Sequence, residues 1–181
     1  MVETFQTQLV EMMPSLRAFG TMLCRSRDRA EYLTQDTMIR ALSKEAQFQP
    51  GTNLKAWLFT IMRNLHIDAM RQRKREAATD LDGDMFDNLQ VSPASQDSRL
   101  ILKELLRSMD RLNNDQREVL SLVGGHGLAY EEAAAICKCP VGTVRSRLAR
   151  ARRELEYMMM GDKPLETSRD ARRAREVRVL A

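Results

Sequence analysis

The stretch LAYEEAAAICKCPVGTVRSRLARARREL, from Leu128 to Leu155, leaves this chain few ways to fold. Tyr130 to Cys137 is rich in alanine and glutamate, which favour helix, and its small residues let a neighbouring helix approach closely. Cys139, Pro140 and Gly142 break that pattern. A second helix follows in which Val144, Leu148, Ala151 and Leu155 recur at spacings of four, three and four, one apolar stripe for a core. The opposite face then carries Arg145, Ser146, Ala149 and Arg150, with Thr143 at its start. Helix, sharp turn and basic helix together are the pattern of a helix-turn-helix, whose second helix enters the DNA major groove. Arginine suits guanine because its planar fork meets two acceptors at once.

The charge distribution points to the same partner. Residues 1–75 carry a net +5, residues 76–98 a net −6, residues 99–160 a net +3 and residues 161–181 a net +2. Two cationic blocks attract a polyanion by counterion release, whereas the acidic bridge repels itself and stays extended. Glycine and proline are scarce, and alternating β-branched segments are almost absent, so the expected fold is all-α: two small helical domains joined by a flexible acidic linker.

Helical periodicity predicts helices over residues 4–23, 29–48 and 53–75, and a second group over 98–111, 114–123, 129–137 and 141–158. Asp28 is the expected cap of the second helix, Thr52 or Asn53 of the third, and Asn113 or Asn114 of the fifth. Pro50 and Gly51 mark Gln49 to Thr52 as a loop. The domain boundaries follow: 1–75, a linker at 76–98, 99–160, and a basic tail at 161–181. The linker's 23 residues span roughly 75 to 80 Å when extended, enough to separate two DNA contacts by about 17 to 20 base pairs. Trp57, with Leu54, Leu58, Ile61 and Leu65 at helical spacing, reads as core more readily than as a stacking platform for a base.

Three segments carry a family resemblance. AEYLTQDTMIRAL (Ala30 to Leu42), FQPGTNLKAWLFTIMRNLHIDAMRQRKR (Phe48 to Arg75) and GLAYEEAAAICKCPVGTVRSRL (Gly127 to Leu148) resemble regions 2 and 4 of the extracytoplasmic-function sigma factors of bacterial RNA polymerase. FQPGTNLKAWLFTIMRN is similar to the general-stress (EcfG-like) subgroup. The resemblance implies a factor that binds core RNA polymerase, directs initiation at promoter DNA, and is held by a small NepR-like anti-sigma factor. It implies docking to polymerase through Gln35, Asp36 and Arg40. It gives the −10 element's non-template strand to Gln49, Pro50, Gly51, Thr52, Asn53, Arg63 and Asn64, with Lys55, Arg71, Arg73, Lys74 and Arg75 as phosphate candidates. It gives the −35 element to Thr143, Arg145, Ser146, Ala149 and Arg150. On the second predicted helix, Leu33, Ile39 and Leu42 are expected to face inward while Gln35 and Asp36 meet the partner. Ala129 stands where Ser or Thr commonly caps the helix, a loss that typically costs ~1 kcal/mol.

Neither His66 nor His126 has the neighbours of a nucleophile or metal site, so no enzyme activity, cofactor or metal is expected. Cys24, Cys137 and Cys139 are an odd set; buried or turn thiols are expected rather than a disulfide framework or a zinc knuckle. MVETFQTQLVEMM has no signal-peptide layout and no apolar run is long enough to span a membrane, so a cytoplasmic protein is expected. The rival reading is a sigma-like decoy that sequesters an anti-sigma factor without engaging promoters.

Overall fold

A computed structural model describes residues 4–76 and 96–160, and among these every regular element is helical. Three helices form the N-terminal module: α1 (Phe5–Cys24), α2 (Arg27–Ser43), which runs into a short 3-10 turn (Glu45–Gln47), and α3 (Leu54–Glu76). Four form the C-terminal module: α4 (Gln96–Arg111), α5 (Asn114–Leu120) continuing through a π-turn (Ser121–Gly125), α6 (Tyr130–Cys137) and α7 (Val141–Met160). The expected linker therefore gives up 96–98 to α4 and Glu76 to α3. Residues 77–95 and the expected tail at 161–181 lie outside the described residues.

The caps explain where most of the helices begin. Ser26, not Asp28, caps α2: its hydroxyl accepts from the Arg29 N–H at 3.4 Å, and Asp28 sits in the first turn, where its charge favours the helix dipole. Asn53 caps α3, accepting from the Ala56 N–H. Asn113 caps α5 in a full capping box with Gln116, each side chain serving the other's backbone N–H. Ala129 has no cap oxygen, but Glu132 reaches back to the Ala129 N–H at 2.8 Å and keeps half of that device.

In the N-terminal module α1 crosses α2 closely. A Cβ on Gly20 would stand 3.3 Å from the Ala30 carbonyl oxygen, so a side chain there would push the two helices apart by a few tenths of an ångström. The inward side of α2 is Ala30, Leu33, Thr34, Thr37 and Ala41. Both threonine hydroxyls donate within the helix, to the Ala30 and Leu33 carbonyls at 2.7 and 2.6 Å, so they enter the core satisfied. This corrects one expectation: Leu33 is buried, but Ile39 and Leu42 are 67% and 46% exposed. The small, hydrogen-bonded side chains take the close-packed face and leave the larger ones outside. Trp57 is half-buried and packs against the core in a cluster with Phe5 and Phe48, at ring separations of 6.3 and 5.4 Å.

The two modules are not held apart. One hydrophobic core runs through both, and its joint lies at Phe19 and Phe59, fully buried rings stacked 4.4 Å apart. The His126 imidazole of the C-terminal module meets both rings edge-on, at 5.9 and 4.7 Å. Truncation of Phe59 to Ala removes a ring from the centre of this joint. Equilibrium urea unfolding of the variant is expected to show about 3 to 5 kcal/mol lost stability; a loss within about 0.5 kcal/mol would mean the ring is not core.

Candidate nucleic-acid interface

The turn between α6 and α7 sets the direction of the basic helix. Lys138 closes α6 in the left-handed conformation (φ 52°), its N–H bonded back to the Ala135 carbonyl, and the Cys139 N–H bonds the Ala134 carbonyl. Pro140 then offers its carbonyl to the N–H groups of Thr143 and Val144 and starts α7. Cys137 is buried in this corner, and burial, reinforced by the nearby Glu118 carboxylate, pushes its thiol up to about 12. It packs as a small apolar side chain, as expected of it.

The predicted stripe of α7 is buried: Val144 and Ala151 are fully inaccessible and Leu148 is 2% exposed, with Leu155 half-buried. The rest of the helix rotates accordingly. Arg145, Ser146, Ala149 and Arg150 are exposed together on its outer face, and Thr143 is half-buried at its start. Ser146 donates its hydroxyl to the Thr143 carbonyl at 3.0 Å, leaving its oxygen lone pairs outward. The Arg145 guanidinium lies 5.7 Å from the centre of the Tyr130 ring, which supports it from below. Arg147 is different. It pairs with Asp115 on α5 and lies 3.8 Å from Cys139 Sγ, so its charge is spent within the module.

On the other module, Gln49, Pro50, Gly51, Thr52 and Asn53 form one exposed loop. Gly51 takes φ 87°, a conformation other residues rarely adopt, and Thr52 returns both its N–H and its hydroxyl to the Gln49 carbonyl. Asn53 is committed twice, capping α3 with its oxygen and donating its Nδ2 to Glu132 Oε1 of α6 at 2.7 Å. Arg63 is not exposed: its side chain is 14% accessible and pairs with Glu118 of α5, itself 10% accessible. Asn64 is half-buried beside it. Arg71, Arg73, Lys74 and Arg75 are exposed at the end of α3, with Arg71 3.8 Å from Asp68. Gln35, Asp36 and Arg40 are all exposed on α2, on a surface they share with Tyr32 (71% exposed), Ile39 and Leu42.

The structure thus brings the α7 set together on one face and the loop set together on another, and withdraws Arg63 from solvent. Sequence reasoning missed Glu118, Glu132, Tyr130 and Asp115. No local pattern marks them, because each matters through a contact distant in sequence or on another helix. Among the described residues no cluster of His, Cys, Asp and Glu has the arrangement of a metal site, and no helix is long and apolar enough to cross a membrane.

Two families match these two modules: the one described as Sigma-70 region 2 over residues 9–76, and the one described as Sigma-70, region 4, over residues 102–155. The ECF RNA polymerase sigma factor EcfG of Rhodopseudomonas palustris is 44% identical over 162 residues, 90% of this chain and 88% of that protein. The ECF RNA polymerase sigma factor SigM of Bacillus subtilis is 34% identical, covering 77% of this chain and 85% of its own length. The sigma factor RpoE of Bartonella quintana, solved in complex with the anti-sigma factor NepR, superposes with a TM-score of 0.78 at 42% identity, over 90% of this chain and all of that one. The chain belongs to the sigma-70 family, in its extracytoplasmic-function group, and is EcfG-like. It is a sigma factor: it directs transcription initiation at promoters.

His126 gives the joint between the modules a pH dependence. Burial first, and the Lys55 ammonium second, hold its imidazole below the usual 6.5, so the packed ring is neutral. A group depressed on packing contributes fully above its unpacked value and loses that contribution as pH falls through the packed one. Amide hydrogen exchange in α5 and the π-turn is therefore expected to quicken from about pH 7.5 to about pH 5.5 beyond the intrinsic change. A His126→Phe variant, which keeps a ring but has no titrating nitrogen, should not show the excess; equal behaviour of the two proteins rules the effect out.

Proposed function

We propose that this chain reads the −35 element with the outer face of α7 and the single-stranded −10 element with the Gln49–Asn53 loop, while core RNA polymerase holds the two modules. The observation that carries the reading is the exposed α7 face. Arg145 and Arg150 project from a helix whose opposite stripe is buried, and Arg145 is steadied over Tyr130. Such a helix presents forked donors to base edges and phosphates in the major groove. Thr143, Ser146 and Ala149 complete the surface; Ala149 offers only a methyl group, which suits a thymine methyl better than a polar base edge.

For the −10 strand, Gly51 lets the loop backbone curl without a side chain in the way, and Asn53 and Asn64 offer amide groups that can both donate and accept. The exposed basic end of α3 supplies phosphate contacts, and Arg63 joins it once parted from Glu118. The polymerase docks on α2, where the polar groups of Gln35, Asp36 and Arg40 lie among exposed Tyr32, Ile39 and Leu42. That mixture is typical of a protein–protein interface. A NepR-like anti-sigma factor is the proposed inhibitor, and the EcfG likeness supports general stress genes as the targets. The chain acts in the cytoplasm by binding alone, with no reaction of its own. Exposed recognition arginines favour initiation over a decoy role, for which an unused DNA face would serve no purpose.

Run-off transcription with core polymerase tests this. Arg145→Ala and Arg150→Ala are each expected to lower initiation roughly five- to 150-fold on templates that depend on a −35 element. On templates whose −35 element is already scrambled they should change nothing. Equal activity of parent and variants on −35-dependent templates would refute the assignment.

A further inference from the structure

We propose that the free chain inhibits itself: two carboxylates of the C-terminal module, Glu118 and Glu132, occupy on the N-terminal module the places that the promoter strand would take. Glu132 Oε1 accepts the Asn53 Nδ2 hydrogen bond at 2.7 Å, so the loop's amide donor faces a carboxylate rather than a base. Glu118 holds the Arg63 guanidinium in a pair shielded on both sides, with side-chain accessibilities of 10% and 14%. A carboxylate is the nearest side-chain equivalent of a phosphate as an arginine acceptor. While these contacts stand, the Arg63 guanidinium is withheld from a phosphate and one amide N–H of Asn53 is already taken.

Further contacts hold the arrangement shut. The His126 ring lies edge-on to Phe19 and Phe59, and Arg25 donates to the Asp110 carbonyl at 3.2 Å across the joint. These polar contacts add to the apolar packing that runs from one module into the other. Closure spares the other two surfaces. The α7 face and the α2 face both remain exposed, so a partner could engage either before the modules part. The inhibition rests on the proposed reading of Asn53 and Arg63 as strand contacts; the closure itself does not.

Glu118→Gln with Glu132→Gln, in the full chain, is the test. Gln at position 132 preserves the contact to the Ala129 N–H, because its oxygen still accepts there. Its amide nitrogen then faces the Asn53 amide, donor against donor. The Gln at 118 keeps the shape of the side chain and removes its charge. A control with equal loss of charge, Glu131→Gln with Glu156→Gln, changes two exposed residues of the same module. Small-angle scattering is expected to show the double variant expanded by about 5 Å in radius of gyration, with the control unchanged. The probe for strand access is a pooled random-sequence DNA single strand, followed by fluorescence anisotropy. The double variant should bind it about tenfold more tightly than the control does.

Unchanged dimensions overturn the closure, and Arg63→Gln, which breaks the ion pair from the other side, guards against a folding artefact. Expansion without tighter binding than the control overturns the inhibition. Expansion in which adding Asn53→Ala and Arg63→Ala leaves strand binding undiminished refutes the strand reading on which the inhibition rests, and is recognisable because the chain is still open.

Discussion

What α7 can offer to DNA depends on three side chains that face the other way. Val144, Leu148 and Ala151 are buried against the rest of the C-terminal module, and this fixes the rotation of the helix about its own axis. A shift of one residue would turn the helix by about 100° and exchange one arginine set for another. The register also separates the arginines by task. Arg145 and Arg150 project, whereas Arg147, only two positions from Arg145, is folded back onto Asp115 and braces the helix against α5. The left-handed Lys138 and the Pro140 carbonyl fix where the helix starts, so register and origin together define the displayed surface.

The joint between the modules is of a different kind. Arg63 and Glu118 are taken out of water, a costly step that the attraction between them offsets only when both are well satisfied. Such a pair adds little net stability but is strongly selective, since removing either partner strands the other. Around it the contact is part aromatic and part polar, and it includes an imidazole whose burial disfavours the charged form. The joint thus combines continuous apolar packing with a few polar contacts whose partners lie on different modules.

The sequence made the local features legible. The α7 stripe and its outer face follow from residue spacing, and among the described residues the α-helices α1 to α7 match the periodicity to within a few residues, apart from the ends of α2 and α5. Those two helices end in a 3-10 and a π segment respectively, and periodicity alone does not separate such segments from α-helix. Burial on α2 was misjudged because hydrophobicity ranks Ile39 and Leu42 above Thr34 and Thr37. The close approach at Gly20 reverses that ranking, and it depends on a second helix. The involvement of Glu118, Glu132 and His126 was not legible at all. Their partners lie 55 or more residues away, and nothing in a local pattern encodes which distant helix a surface residue will meet.

The outer side of α2 carries a further consequence. Tyr32, Ile39 and Leu42 stand exposed on a helix whose inner side is already filled, so none of the packing within the N-terminal module uses them. In isolation that face sets the ceiling on how concentrated the chain can be before copies adhere to one another. A macromolecule that covers it removes that apolar surface from water, and so acts against self-association as well as binding.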